Sequence, residues 1–231
     1  MRIPNASLVI PAAGESLRLP GPSRKPFRDL GGRPILIRTL EAFRGLGFIR
    51  EVVLVVHPHD RGKLERHWRK RLSELKVSRL VAGGKTRAES VAFGVLATDP
   101  ASRLVLVHDA ARPLVTQAEV SAVAALAWRK GAAILAMPAF DTVKEVSKDG
   151  TILKTLDRNR LWLAQTPQAF RRSWILEAVL HLDPKRPPTD DAGLLEGRRP
   201  VWVVRGKGGN FKVSTPEDLA RARILGNFRA P

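Results

Sequence analysis

Three stretches of this sequence carry the residue types that handle phosphate. The first is PAAGESLRLPGPSRKPF, residues 11–27. Gly14 lets the backbone turn tightly and come close to a ligand. Successive N–H groups in such a turn form an anion-binding nest. Arg18 and Lys25 add positive charge, and Pro20, Pro22 and Pro26 stiffen the segment. The second stretch is GGKTRAES, residues 83–90, a glycine turn into a capped helix whose free N–H groups suit anions or base edges. The third is VHDAARP, residues 107–113, where Asp109 is followed three residues on by Arg112. That spacing sets a metal or hydroxyl partner beside a phosphate clamp. His108 in the same stretch reads as a packed strand-end histidine. Lesser candidates are Asp157-Arg158-Asn159, Thr189-Asp190-Asp191 and the Gly/Lys loop at 206–212.

Other chemistries lack their parts. The chain has no cysteine, which excludes disulfides, zinc–thiolate sites and thiol nucleophiles. Neither H-E-x-x-H nor G-x-S-x-G occurs. Gly84-Lys85-Thr86 looks like the end of a Walker A loop, but Arg79 stands where its first glycine belongs. The dinucleotide fingerprint G-x-G-x-x-G is absent. His57-Pro58-His59 has the wrong spacing for a helical metal pair. Trp68, Trp128 and Trp174 fall in helical stretches and read as packing. With no tyrosine, a base-stacking surface is poorly supplied.

Something must hold these loops together. Apolar runs rich in β-branched residues recur at 7–13, 52–57, 80–82, 104–108, 132–138 and 201–205. Such near-continuous hydrophobicity suits strands buried on both faces, as in a parallel sheet. Helical patterns lie between them, at about 35–46 and 61–75. Thr86 with Glu89, and Thr116 with Glu119, read as capping boxes. Thr215 reads as an N-cap followed by Pro216 and two acids. The alternation predicts an open α/β sheet with helices on both faces, built as one domain over residues 1–231. Ligands of such sheets bind in the crevice beyond the strands' carboxyl ends. Residues 139–160 break the rhythm: strand-like 141–146 and 151–156 flank an Asp149-Gly150 turn. A two-stranded ribbon is marginal in water. This one is either an edge extension of the main sheet or an arm leaning on a second subunit.

Composition sets the outer bounds. Of 231 residues 44% are hydrophobic and 27% charged, which are globular values. Lys plus Arg number 40 against 22 Asp plus Glu, a net charge of +18, and 28 of the 40 are Arg. That balance favours polyanions: nucleic acid, a membrane surface or phosphorylated small molecules. No apolar run reaches the length of a membrane span, and the first fourteen residues lack a signal-peptide core. The expectation is a cytoplasmic protein.

In order along the chain, PAAGxxxR, KPF, GGxxRxxSV, VHDAARP, DTVK, DRNxLWxxQTPQxF, TDD and NFKVSTPEDL occur together. In this the chain resembles the 2-C-methyl-D-erythritol 4-phosphate cytidylyltransferases of the non-mevalonate isoprenoid pathway. The first motif is shared with nucleotidylyltransferases generally, whereas the later ones in this order are specific. Two positions depart from the pattern: Ser16 stands where the family usually has Gly, and Lys85 where an acid is frequent.

The resemblance implies a Rossmann-like fold of nucleotide-diphospho-sugar transferase type and a homodimer, with a β-arm at about 139–160 reaching the other subunit's site. It implies transfer of a cytidylyl group from CTP to the phosphate of methylerythritol phosphate, releasing pyrophosphate. Arg18 and Lys25 would stabilise the transition state, and Lys212 with Arg158, the latter from the partner, would position the acceptor. Arg112, Thr142, Thr166 and Thr189 would complete the acceptor pocket. Pro11, Ala12, Ala13, Gly14, Ser16, Gly84, Ser90 and Ala110 would hold the nucleotide, with Asp109 by the ribose and phosphates. Mg²⁺ would be held mainly by the CTP phosphates, with no dedicated protein metal site. A cytidylyltransferase for another polyol phosphate, such as ribitol 5-phosphate, is the neighbouring reading. A nucleic-acid-binding protein is the distant one, since the basic residues are spread along the chain with no recognition-helix signature.

Overall fold

The computed structural model describes residues 2–14 and 23–228. Seven strands form one sheet in the order β3-β2-β1-β4-β8-β5-β9. They are β1 (Ala6–Ala12), β2 (Ile49–Val56), β3 (Val77–Ala82), β4 (Leu104–Val107), β5 (Ala132–Pro138), β8 (Trp162–Arg171) and β9 (Trp202–Arg205). A separate ribbon pairs β6 (Lys144–Val146) with β7 (Ile152–Thr155). The helices are α1 (Ile35–Ala42), α2 (Pro58–His67), α3 (Arg69–Glu74), α4 (Arg87–Leu96), α5 (Gln117–Lys130), α6 (Arg172–Leu180) and α7 (Pro216–Leu225).

Strand alternation explains why these runs are apolar throughout. Leu8 and Ile10 of β1, Leu54 of β2 and Leu106 of β4 face one core, beneath α1, α2, α3 and α5. Their neighbours Val9, Val53, Val55, Val105 and Val107 face the other, beneath α4 and α6. Successive side chains point to opposite faces, so a strand covered on both sides needs an apolar residue at every position. The runs of β1, β2, β4 and β5 are buried as expected, whereas those of β3 and β9 are strands but half-buried or exposed, because each lies at an edge of the sheet.

The sheet is mixed rather than wholly parallel. β8 runs antiparallel to both β4 and β5, while the other six strands share one direction. Periodicity did not reveal β8, because its inner half is polar. Gln165, Thr166 and Gln168 serve the loops around it, and the β5–β8 register shifts between Ile134 and Ala136 opposite Pro167. A proline inside a central strand is tolerated only at such an irregularity.

Other boundaries also moved. The helix expected over 35–46 stops at Ala42, with Gly45 at φ +88 in the turn that follows. The one expected over 61–75 starts earlier, on Pro58 with His57 as N-cap, and breaks at Trp68, which packs on the core between buried Leu64 and Leu72. Thr116 and Glu119 form the full capping box. At Thr86 only half forms, because the Glu89 carboxylate accepts from Lys85 N at 2.7 Å, one residue further back. The ribbon is an independent two-stranded sheet rather than an edge extension, and both its strands are exposed along their whole length.

Candidate functional site

β1 lies between β2 and β4, so the chain leaves it first on one side and later returns on the other. This order reversal is the switch point where open α/β sheets form a crevice. A cavity of about 500 Å³ opens there. Its walls are Pro11, Ala12, Ala13 and Gly14 at the end of β1, Lys25 and Pro26, His57 after β2, Gly84 to Arg87 with Ser90, Asp109 to Ala111 after β4, and Lys212.

Local sequence explains the wall. Gly83 packs against Ala13, and a Cβ at Gly83 would overlap the Ala13 methyl group. The two glycine-bearing loops therefore touch directly. Gly84 N donates to Ser90 Oγ at 3.1 Å, and Ser90 Oγ donates to the Thr86 carbonyl at 2.9 Å. Ser90 thus fixes the turn while keeping one acceptor lone pair. Thr86 caps α4 by accepting from Glu89 N at 3.1 Å.

Asp109 is the carboxylate among the lining residues, and three cations meet on it. Lys212 Nζ lies at 2.9 Å, Arg87 Nη2 at 3.2 Å and Arg112 Nε at 3.5 Å. Burial alone would raise its carboxyl, but Arg87, Lys212 and Arg112 outweigh that and hold it well below the usual carboxylate range. Arg87 also forks onto Asp191, with both bonds at 2.9 Å. This guanidinium therefore ties the start of α4 to the loop at 189–191. Burial opposes its charge, but the two aspartates raise its pKa above the ordinary guanidinium value.

His108 is fully buried beside this cluster. Its Nε2 is 3.0 Å from the Arg112 carbonyl, which can only accept, so the proton sits on Nε2. Nδ1 then accepts from Thr166 Oγ1 at 3.0 Å, and Thr166 Oγ1 accepts from Asp109 N at 3.0 Å. Burial pushes the His108 pKa down to about 4, so the ring is neutral. It is a packed histidine that orients Asp109 through Thr166.

Ten of the residues proposed from sequence line the cavity: Pro11, Ala12, Ala13, Gly14, Lys25, Gly84, Ser90, Asp109, Ala110 and Lys212. Thr166 and Arg112 stand immediately behind it. Arg112 Nη1 donates to the Asn210 carbonyl at 2.7 Å, and Asn210 Nδ2 donates to the Thr166 carbonyl at 2.7 Å. Arg18 and Ser16 lie outside the described residues. Arg158, Thr142 and Thr189 are exposed and do not line this cavity. Arg158 and Thr142 flank the β6–β7 ribbon, and Arg158 Nη1 donates to the Phe140 carbonyl at 2.7 Å. Thr189 caps no helix: the following 3-10 turn is Ala192–Leu194, and Asp190 Oδ1 accepts from Gly193 N at 3.0 Å.

Asp191 was named in sequence only as part of Thr189-Asp190-Asp191, and Arg87 and Gln168 fell within the quoted motifs GGxxRxxSV and QTPQ without being given a role. Gln168 of β8 holds the 189–194 loop by donating to Asp190 Oδ2 at 2.9 Å and accepting from Ala192 N at 2.8 Å. Arg87 stands 22 residues from Asp109 and 104 from Asp191, separations that no local pattern bridges.

A model of the 2-C-methyl-D-erythritol 4-phosphate cytidylyltransferase family matches residues 6–226. A 2-C-methyl-D-erythritol 4-phosphate cytidylyltransferase of Pelotomaculum thermopropionicum is 42% identical over 219 residues, covering 94% of this chain and 92% of that protein. One of Syntrophus aciditrophicus is 41% identical over 224 residues, 96% of each. Among solved structures, a 4-diphosphocytidyl-2C-methyl-D-erythritol synthase from Anaerococcus prevotii matches with a TM-score of 0.83 at 30% identity, covering 97% of this chain and 96% of that one. A 2-C-methyl-D-erythritol 4-phosphate cytidylyltransferase from Thermus thermophilus matches with a TM-score of 0.78 at 33% identity, covering 95% and 98%.

Proposed function

The chain belongs to the 2-C-methyl-D-erythritol 4-phosphate cytidylyltransferase family, enzymes of isoprenoid precursor biosynthesis, and from that premise we propose which of its groups carry the reaction. A phosphate oxygen of methylerythritol phosphate attacks the α-phosphorus of CTP. The bond from that phosphorus to the bridging oxygen breaks, and pyrophosphate leaves with the electron pair. The product is 4-diphosphocytidyl-2-C-methyl-D-erythritol. The attacking oxygen is already ionised near neutral pH, so no general base is required. The protein's work is positioning and neutralising charge.

The observation that carries this reading is the meeting of Lys25 and Lys212 with the 11–14 backbone loop, Gly84 and Ser90 in one cavity. The loop, Gly84, Ser90 and Ala110 hold the cytidine. Lys25, with Arg18, stabilises the charge that develops on the transferring and leaving phosphates. Lys212 is held by Asp109 and faces the acceptor phosphate. Arg112 and Thr166 set the position of Asp109 and of the 210–212 segment, so they act on the acceptor through those groups. The whole chain works as one domain, and a reaction that consumes CTP places it in the cytoplasm. No helix among the described residues is long and apolar enough to cross a membrane.

Mg²⁺ needs oxygen ligands, and the protein offers few of them at the cavity. No group of three or more His, Asp or Glu converges among the described residues. One lining carboxylate, Asp109, suits a dication that takes most of its ligands from phosphates and water. Bound there with the nucleotide, Mg²⁺ would neutralise triphosphate charge.

Arg158 and Thr142 belong to the acceptor pocket of a second subunit. Val146, Ile152 and Leu153 of the ribbon are each more than half exposed, so the ribbon lacks a core of its own. A homodimer with exchanged arms would cover it and complete each site.

Pyrophosphate release measured with CTP and either methylerythritol phosphate or ribitol 5-phosphate tests the acceptor. Turnover is expected with the first at a kcat/KM at least about a hundredfold higher, since a site built to bond particular hydroxyls rejects a mismatched one strongly. Equal turnover of both acceptors would refute the assignment.

A further inference from the structure

A second cavity, of about 550 Å³, opens at the opposite end of the sheet from the catalytic one. It lies where β4 begins and where β8 turns into α6, since Leu104 pairs with Arg171. Its wall carries the side chains of Arg103, Arg171 and Arg172, beside Ser173 and Trp128, and no carboxylate lines it. None of these three arginines has an ion-pair partner among the described residues. The catalytic end is built differently, for its arginines are matched by Asp109 and Asp191.

Two of the three guanidinium groups are anchored by hydrogen bonds. Arg172 donates from Nε to Thr98 Oγ1 at 3.2 Å and from Nη2 to the Thr98 carbonyl at 3.4 Å. Arg171 donates from Nη2 to the Trp128 carbonyl at 3.3 Å and stands 5.8 and 5.7 Å from the ring centres of Trp128 and Trp174. Its Nε is buried with no hydrogen-bond partner. Arg103 stands 6.0 Å from the Trp128 ring. Like charges gathered in one cavity with no carboxylate among them repel one another, and an anion relieves that repulsion. α6 adds to the same field, for it starts at the cavity with no side-chain cap on its N-terminus.

We infer that this cavity is a second anion site, taking a small molecule that bears a phosphomonoester or diphosphate group. Planar guanidinium forks match phosphate oxygens bidentately, and the volume is within the range of small-molecule pockets. The site is separate from the nucleotide cavity and stands whether or not the catalytic assignments do. Because it is concave and backed by Pro100 and Leu176, it fits a compact ligand better than a nucleic-acid duplex.

Titration calorimetry of the wild-type protein with pyrophosphate gives the test. Two binding events per chain are expected. One should be lost in Lys25→Ala combined with Lys212→Ala. The other should weaken about tenfold in Arg103→Gln and in Arg172→Gln, the loss of one charge-assisted contact. Arg103 is exposed, so its substitution leaves the fold intact, and pyrophosphate release from CTP should stay at the wild-type rate in both variants. A single binding event that ignores Arg103→Gln and Arg172→Gln would overturn the proposal. So would a duplex DNA that binds at 0.15 M salt more tightly than pyrophosphate and loses that binding in the same variants, since the face would then serve nucleic acid.

Discussion

Asp109 shows how much a single side chain organises. With Arg87, Lys212 and Arg112 around it, it lets three cations share a small volume. Lys25 lines the same cavity from a separate turn, and in the proposed reaction its charge would serve the triphosphate. On that proposal Lys25→Ala should lower kcat/KM by about 10²–10³, the loss of one preorganised electrostatic donor. Near-normal turnover in this variant would remove the phosphate-cradle role. His108 gives a pH signature. Its folded pKa, about 4, is below the ordinary value of 6.5. Above pH 6.5 neither folded nor unfolded chain protonates it, so its full contribution is present. As pH falls from 6.5 towards 4 the unfolded chain takes up a proton that the native site refuses, and stability drops. Between pH 7.5 and 5 this amounts to about 2 kcal/mol. Urea unfolding at those two pH values should show that loss in the wild type and a smaller one in His108→Gln. Equal pH dependence in both would mean that the buried ring is not its source. The histidine's packing role was legible in the sequence, and the glycine and lysine loops picked out there do line one cavity. Arg87 was not, because it earns its place through two aspartates that only the fold brings near.

The elements themselves are set by covering both sides of the sheet. Gly94 marks where α4 lies closest: a Cβ there would come 2.5 Å from Val9 Cγ1 and 2.8 Å from Val55 Cγ2. On an exposed helix Gly→Ala gains up to about 1 kcal/mol. Here the methyl group would press on two fully buried valines, and overpacking costs about 1–3 kcal/mol. Gly94→Ala is thus expected to destabilise, by chemical denaturation, despite the better helix former. A more stable variant would show that α4 can shift outward without cost. Apolar runs made six of the seven strands visible in sequence, although the edge strands β3 and β9 are only partly buried. β8 escaped because burial there is bought with hydrogen bonds. Thr166 and Gln168 are 3% and 1% exposed, yet each is bonded to a loop that frames the site. Function had overwritten the hydrophobic pattern by which a central strand is recognised. The helix break at Trp68 was hidden for another reason: the apolar spacing of Leu64, Trp68 and Leu72 is equally good for one helix or for two packed on the same core.

At the scale of the whole molecule, the excess of positive charge and the exposed ribbon point to what the chain meets. The +18 net charge favours encounter with polyanionic CTP, an effect that weakens as salt rises. Arg158 and Thr142 flank the ribbon and do not line the cavity of their own chain, so under the proposed function they would have to serve another chain's site. The proposed two-fold dimer would meet that need reciprocally, since an isologous interface gives each subunit what it lends. The consequence can be tested without a structure of the dimer. Lys25→Ala disables the cavity of the subunit that carries it. Arg158→Ala, if it acts across the interface, disables the cavity of the other subunit. In a hybrid of the two variants, one cavity takes both defects and the other has an intact Lys25 and an intact arm. Equal mixing makes half of the dimers hybrids with one working site of two, so about one quarter of wild-type activity should return. Each variant alone should stay low. If Arg158 serves its own subunit, each hybrid cavity carries one defect and nothing returns. Steady-state pyrophosphate release after verified subunit exchange separates the two outcomes, and absence of recovery would move Arg158 out of the partner's site.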